Sequence, residues 1–486
     1  MYPYITVRKW AVFYLTFYEY FKLDSAAPLR EIILRARLNI EKKIPVYYGW
    51  VIVATSFLTL GVAFGVWYSF SVLYIAIIND FGWQRATTAG IFSLFTISHY
   101  LCAFLTGWLI DRFGPRLVIP FGALWLAISL NLLTKATDIW DFYLIYGIMA
   151  AVGVSLIGFV PHATFLPRWF SKRRGLAIGM AMAGVGVGML TIPPFMQHLI
   201  SQYDWRYAYR ILAIIVLFTI PINLFFQRRD PAQIGLLPDN IAINSDLNCS
   251  VKETTQTGKP AELSKQNPSK HNPQSEGSRI IDPGWVATSW TSRGALRTNR
   301  FWYLAAGFFL GPFAIQGVLL HAVAGLVDGG MSAKTAAATF GFLGICGSVG
   351  KITLGFFGDR WNRETANTVG MISATIGVSA LAAMKFQPQL LPWIFAICFG
   401  FGYGAVAPLF PAIAADIFQG EHFGRIFGLL SLNLGFGGAA GAWFAGYIFD
   451  QSGSYLTAFI VDIVVLWLSC SCFWLAAPRK IRLSRK

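Results

Sequence analysis

Charge is what this sequence has least of. Asp, Glu, Lys and Arg make up 13% of its 486 residues, and only 23 residues are acidic. Water-soluble domains carry roughly a quarter charged residues, so this chain cannot cover itself with an ionic surface. Cysteine is sparse too: Cys102, Cys249, Cys346, Cys398, Cys470 and Cys472 are scattered, five of them in apolar stretches, with no CxxC pair. That spacing excludes a disulfide scaffold and a thiolate metal site. No Ser/His/Asp set, no paired acids near one face and no His/Cys cluster is legible, so no enzyme, cofactor or metal is expected. What the chain does have is apolar: 55% hydrophobic and 16% aromatic residues, 47 glycines and a mean hydropathy of +0.54. Such proportions suit helices packed closely in lipid. They describe a multi-pass membrane protein.

About twelve apolar stretches reach the roughly 20 residues that cross a bilayer. They lie near 49–77, 86–110, 117–136, 141–166, 175–200 and 207–226, then near 301–326, 332–357, 365–386, 390–417, 424–449 and 455–477. The net charge of +16 is topological. Of the 39 Lys and Arg residues, 32 fall on the side of both termini and six on the other, with Lys351 inside a span. The positive-inside rule places both termini in the cytoplasm, and no nucleic-acid partner is implied. The expected fold is an all-α membrane protein of 12 transmembrane helices in two six-helix pseudo-symmetric halves. The divisions are a tail 1–45, a half 46–227, a linker 228–300, a half 301–478 and a basic tail 479–486. Trp10 to Phe21 is too short to span, so an interfacial helix or a disordered extension are both open for the tail. Residues 238–292, rich in Ser, Asn, Lys, Thr and Pro, read as a disordered linker.

The halves repeat each other. Gly107-Trp-Leu-Ile-Asp111-Arg112 returns 248 positions later as Gly355-Phe-Phe-Gly-Asp359-Arg360. Gly175, Gly179, Gly186 and Gly188 return at an offset of 249 as Gly424, Gly428, Gly435 and Gly437. Repeats of this kind build secondary transporters, with the site between the repeats.

Gly107-x-x-x-Asp111-Arg112-x-Gly114-Pro115-Arg116, between spans 2 and 3, resembles the signature loop of the major facilitator superfamily. Tyr48-Gly49-Trp50-Val51, Arg168-Trp169-Phe170, Arg173-Arg174-Gly175-Leu176-Ala177, Asp204-Trp205-Arg206, Asp230-Pro231 with Gly235 and Pro238-Asp239, and Ala415-Asp416-Ile417-Phe418 together resemble the monocarboxylate porter and oxalate:formate antiporter group. The resemblance covers about residues 45–478. It implies a secondary active transporter in the plasma (inner) membrane, moving a small organic anion by alternating access, as proton symport or anion exchange. A membrane sensor that binds an anion without net transport is the alternative. No obligate protein partner is implied.

Gating is expected of Gly107, Asp111, Arg112 and Arg116, and of Gly355, Asp359 and Arg360. Gly107 would let span 2 approach its neighbour. Asp111 could pair with an Arg or sit at a helix N-terminus, or be a solvated interfacial residue. Lys351 is the leading substrate ligand, because a cation at membrane depth costs roughly 2.5–3.5 kcal/mol on insertion scales. A lysine reaching back to the cytoplasm is the structural alternative. Where the porters place a carboxylate-binding Arg four residues before a Gly, this chain has Lys351 before Gly355. Their Asp one turn earlier is Gly347 here, and their span-1 Lys is Tyr68. One intramembrane cation favours a monoanion. Tyr68, His321 and Asn433 are further binding candidates, and His321, His99 and His162 are the proton-coupling candidates. Asp462 is an intramembrane acid in a span that the family holds at its periphery.

Overall fold

The computed structural model describes residues 47–170, 174–237, 278–288, 290–418 and 422–484. The expected interfacial helix in 1–45 and the linker segment 238–277 lie outside them. The chain divides into a unit ending at Val51 and a second, Ile52–Lys486; the architecture that follows is that of the second.

Among the described residues, twelve apolar helices follow one another when one bent span is counted as a single helix. In the first half they are α1 Gly49–Phe81, α2 Arg85–Phe113, α3 Pro115–Leu133, α4 Ile139–Trp169, α5 Arg174–Gln202 and α6 Trp205–Phe226. In the second they are α7 Asn299–Asp328, α8 Ala333–Arg360, α9 Arg363–Ala382, α10 Leu391–Ile417, α11 Phe423–Ser452 and α12 Leu456–Ala476. α2 bends by 43° between Ala103 and Leu105. α4 carries a π-helical stretch, Tyr143–Ala150, and breaks at Gly158. Polar side chains start many helices where apolar residues give way to turns. Asp204, Thr298, Ser332 and Asn362 each accept from a backbone N–H in the first turn, which satisfies a donor the helix itself cannot.

The internal repeat is a repeat of contacts. A Cβ on Gly188 of α5 would run into the carbonyl of Gly61 on α1, and one on Gly437 of α11 would run into that of Phe309 on α7. Gly186 lies against Ser348 of α8, and Gly435 lies against Tyr100 of α2. Each of these partners is 248 positions from its counterpart. The glycines therefore mark two equivalent seams between the halves, α5 against α8 and α2 against α11. In lipid, where helix association rests on van der Waals packing and interhelical hydrogen bonds, such close approach needs small residues.

Order extends beyond the spans, contrary to the disordered reading of residues 278–292. Ser278–Ile280 (β1) pairs antiparallel with Arg482–Ser484 (β2), a short two-stranded patch beside the all-α bundle. Short helices follow at Pro283–Ala287 and Ser292–Leu296. Two aromatic side chains hold them: Trp285 Nε1 donates to the Ile417 carbonyl at 2.8 Å, and the Trp290 ring lies 5.5 Å from Phe418. The segment before β2 is tied in too. The Arg479 backbone and guanidinium both donate to Glu364, which is only 1% exposed. Tryptophans within a polar-looking segment supply the burial its composition hides.

Candidate functional site between the two halves

The ends of the spans differ in how their charges pair. One end, called here the basic end, holds the α2–α3, α4–α5, α8–α9 and α10–α11 connections. The far end holds the α1–α2, α7–α8 and α11–α12 connections.

At the far end, Arg85 opens α2 without a capping bond from Gln84. The cap comes from the other half: the backbone N–H groups of Arg85 and Ala86 donate to the Asp450 carboxylate at 2.9 and 2.7 Å. An anion there meets both unsatisfied donors and the positive end of the helix dipole. The Arg85 guanidinium donates to Asp328 at 2.6 and 3.1 Å and to the Tyr455 hydroxyl at 2.6 Å, and lies 3.6 Å from the Phe449 ring centre. His321, fully buried, joins this cluster. Its Nε2 donates to the Ala442 carbonyl and its Nδ1 accepts from the Tyr455 hydroxyl, both at 2.9 Å. These bonds suit the neutral Nε2–H tautomer, since a carbonyl can only accept. His321 therefore belongs to the far-end contact, away from Lys351.

At the basic end, the described ion pairs stay within a half. Asp111 takes Arg168 at 3.3 Å and Arg229 at 3.8 Å, while Arg229 also donates to the Asp111 carbonyl at 2.7 Å. Arg168 further pairs with Asp230 at 3.3 Å. In the second half, Arg363 bridges Asp359 and Asp416. Asp111 and Asp359 keep 61% and 69% side-chain exposure, so each pair is well solvated and weak alone. Arg116 donates to the Leu224 carbonyl at 3.0 Å. Arg112 lies 5.3 Å from the Trp108 ring, and neither it nor Arg360 has a carboxylate partner among the described residues. Close packing is not what Gly107 and Gly355 provide here. A Cβ at Gly107 would meet nothing nearer than Val160 at 4.0 Å, and one at Gly355 would make ordinary contact with Pro408 at 3.4 Å.

Between the ends lies Lys351. Its ammonium sits 5.5 Å from the ring centre of Tyr403, within cation–π range, and among the described residues no carboxylate pairs with it. Helical side chains lean toward the helix N-terminus, which for α8 is the far end, so the stem points away from the basic end. α10 is interrupted immediately after Tyr403 and resumes at Val406. There Gly404 fits against the backbone of Gly347, Gly350 and Lys351, where any Cβ would collide. A side chain at Gly347 would likewise meet the Tyr403 ring at 3.2 Å. An acid at that position would press against an aromatic ring, which would have to shift slightly to admit it.

Tyr68 completes the group from the first half: its hydroxyl hydrogen-bonds that of Tyr403. Beside it is a small cavity of about 10 Å³, lined by Trp67, Phe92, Phe340 and Gln316 among others. The Gln316 Oε1 is buried without a partner. Tyr403 and Gln316 were invisible to sequence reasoning. One aromatic among many and an amide in an apolar run carry no distinguishing signal, although the Gly-x-Gly pattern of 400–404 marks a close helix crossing.

The other candidates are not brought to Lys351. Asn433 donates to the Leu429 carbonyl of its own helix at 3.1 Å. His162 Nδ1 donates to the Gly158 carbonyl at 2.6 Å, leaving a buried Nε2 without a partner. His99 packs edge-on to Trp67 with ring centres 4.9 Å apart, and its Nδ1 is unpartnered. Asp462 is 1% exposed in α12 with Oδ2 unpartnered, and its carboxyl group would lie 3.2 Å from a Cβ at Gly317 of α7.

The comparisons with known proteins agree with this architecture. Rat (Rattus norvegicus) monocarboxylate transporter 13 is 26% identical over 420 residues, covering 85% of each chain. Mouse (Mus musculus) monocarboxylate transporter 12 is 26% identical over 85% of this chain and 82% of its own. The agnestins efflux protein AgnL12 of Paecilomyces divaricatus is 24% identical over 86% and 83%. A solved bacterial homolog of the human lysosomal transporter Spinster shares the fold, with a TM-score of 0.62 and 15% identity over 90% of this chain and 98% of that one. The sequence profile of the Major Facilitator Superfamily matches residues 55–414 and 393–485. Twelve spans in two repeated halves, the Asp111 and Asp359 loops and these relatives lead to one conclusion: the chain is an integral membrane transporter that belongs to the major facilitator superfamily and resembles its monocarboxylate porters.

Proposed function

We propose that this transporter moves a small organic monoanion by alternating access, with Lys351 as the anion's ligand. The observation that carries the reading is a cation inside the bundle, held over an aromatic ring with no described carboxylate to neutralise it. An intramembrane cation without a counter-ion is a functional position by default, and an anionic substrate would supply the missing charge. A single such cation suits one carboxylate better than two. The names of the similar monocarboxylate transporters 12 and 13 support the same substrate class.

The basic end is read as cytoplasmic, because Lys and Arg accumulate there, and the membrane as the plasma membrane. Contacts that cross the halves at the far end and stay within each half at the basic end support a state accessible from the cytoplasm. In the opposite state the far-end bonds of Arg85 and Asp450 would part, and the basic ends of the halves would meet. The loops of Asp111 and Asp359 would then exchange partners, which makes them gating elements.

Exchange is the favoured coupling mode. The position that an acid would take next to Lys351 is Gly347, crowded by Tyr403, and His321 is engaged at the far end. A bound anion can leave Lys351 to the next without a proton site. Proteoliposomes test the reading: labelled monocarboxylate should enter vesicles preloaded with unlabelled anion, and Lys351→Gln should abolish this. Saturable binding without any flux would favour the sensor alternative, and normal flux with Lys351→Gln would remove the assignment.

A further inference from the structure

The small cavity beside Tyr68 has a polar group in its wall that the reading above leaves unused. Its lining is paired by the internal repeat: Tyr68 with Gln316, Ser71 with Leu319 and Phe92 with Phe340 each stand 248 positions apart. A space walled three times over by a residue and its repeat counterpart lies between the halves, where repeat-built transporters place their substrates. We propose that Gln316 is a specificity-determining residue: its side-chain carbonyl receives a hydrogen-bond donor from the end of the substrate opposite the carboxylate, so the preferred substrate is an ω-hydroxy monocarboxylate. The proposal rests on the reading of Lys351 as anion ligand and adds the other end of the molecule.

The chemistry follows from counting donors. An amide oxygen accepts and cannot donate, and Gln316 Oε1 is buried with no donor to meet it. The hydroxyls around it are committed elsewhere. Ser71 Oγ and Thr96 Oγ1 donate to the Tyr68 and Phe92 carbonyls, both at 2.9 Å, and the Tyr68 hydroxyl bonds that of Tyr403. Packing holds the amide in place: a Cβ at Gly438 of α11 would meet Gln316 Cγ at 3.0 Å and Thr96 Cγ2 of α2 at 3.5 Å. A buried acceptor without a donor is costly until a partner arrives. The cavity of about 10 Å³ has room for about one water-sized group. A terminal hydroxyl fits it, whereas a second carboxylate would set its charge against the amide oxygen. Length decides where that hydroxyl sits. Phe340 in the cavity wall and Lys351 are eleven positions apart on α8, about 16 Å along its axis. The phenols of Tyr403 and Tyr68 also stand between the ammonium and the cavity. A hydroxyl next to the carboxylate stays with Lys351, and one at the end of a chain of several carbons reaches Gln316. A site built to bond a hydroxyl rejects the analogue that lacks it, because its own polar group is then left unpaired.

The full-length protein in liposomes preloaded with unlabelled butyrate provides the test. Uptake of radiolabelled butyrate is measured, and uptake by vesicles carrying Lys351→Gln is subtracted to remove passive entry. Competitors are 4-hydroxybutyrate and 6-hydroxyhexanoate, their parents butyrate and hexanoate, and 2-hydroxybutyrate. Each ω-hydroxy acid should half-inhibit uptake at a concentration about tenfold or more below that of its parent, while 2-hydroxybutyrate should match butyrate. Gln316→Leu and Gln316→Met fill the same space without an acceptor, and in both the ratio of parent to ω-hydroxy acid should fall to about one. A wild-type ratio near one overturns the proposal whether or not either variant reaches the membrane. A wild-type preference that survives in both variants overturns the assignment to Gln316. A preference for 2-hydroxybutyrate over 4-hydroxybutyrate overturns the placement of the donor at the chain end. Each of these results leaves the anion site standing as long as uptake depends on Lys351. If none of the uptake depends on Lys351, the anion reading fails and this inference with it.

Discussion

The two ends of this transporter both pair arginine with carboxylates, and they connect those pairs differently. At the far end, Arg85 reaches Asp328 and Tyr455, and Asp450 caps α2, so these charges join one half to the other, beside an Asp80–Arg206 pair that stays within the first half. At the basic end, Arg168 and Arg229 gather Asp111 and Asp230 within the first half, and Arg363 gathers Asp359 and Asp416 within the second. The difference lies in connectivity, since both ends have arginine–carboxylate pairs. Pairs inside a half stiffen it as a rigid body. Pairs between halves choose which way the pair of bodies leans.

This comparison can be broken most sharply in the middle, where neither end controls the outcome. Lys351→Gln should reduce anion uptake at least about a hundredfold, since truncating one partner of a buried charge pair costs roughly 2–5 kcal/mol. Lys351→Arg should retain part of it, because the charge survives although the shape changes. Uptake by vesicles containing equal amounts of inserted protein is the measurement.

The next largest effect belongs to the far end. Arg85→Gln removes bonds to Asp328 and Tyr455 together, so it should shift the resting carrier toward the far-end-open form by about tenfold. Labelling of a cysteine introduced at Gln316, against the native cysteines as background, reports that shift. Equal labelling with and without Arg85 would show that these bonds do not choose the state.

Smaller effects are expected at the basic end. Asp111→Asn should slow turnover about three- to tenfold while leaving half-saturation unchanged, and Asp359→Asn should do the same more mildly, because exposed pairs contribute about 0.2–1 kcal/mol each. Stopped-flow turnover separates the two. A change in affinity instead would place Asp111 in the binding site. The smallest effect expected is at His321. His321→Gln keeps hydrogen bonding without a titratable ring, so exchange should change by no more than about twofold across the range around ~6.5 in which histidine titrates. A pH-dependent uphill flux abolished by His321→Gln would instead make the far-end cluster a proton site.

The spans were legible because a bilayer demands a fixed length of apolar helix, which no other pressure erases. The repeat was legible because Gly188 and Gly437 each face a carbonyl where only glycine fits, so the register could not drift. Lys351 stood out for the same reason a charge does in any apolar run. Asn433 carries a weaker signal than its residue type suggests, because a helical amide can bond its own preceding carbonyl and need not seek a ligand. Tyr403 was missed because hydroxyl pairs and ring placement depend on how α1, α8 and α10 cross, which no local pattern encodes. Arg85, Asp328 and Asp450 sit at span ends, where charged residues are ordinary. The ordered stretch 278–298 was hidden because its anchors are two tryptophans in otherwise polar sequence.

One consequence follows from the capping of α2 by Asp450. A helix whose first-turn amides are satisfied by a residue of the other body carries a record of whether the two bodies touch. When the far end opens, the amides of Arg85 and Ala86 lose their acceptor and face water. Their hydrogens then exchange with solvent deuterium, while amides deeper in α2 stay bonded within the helix. Deuterium uptake at these two positions therefore times the opening of the carrier without any probe attached. It also gives the transporter an energetic asymmetry: opening the far end uncaps a helix, whereas opening the basic end leaves the described cap of α9, Asn362, on its own helix.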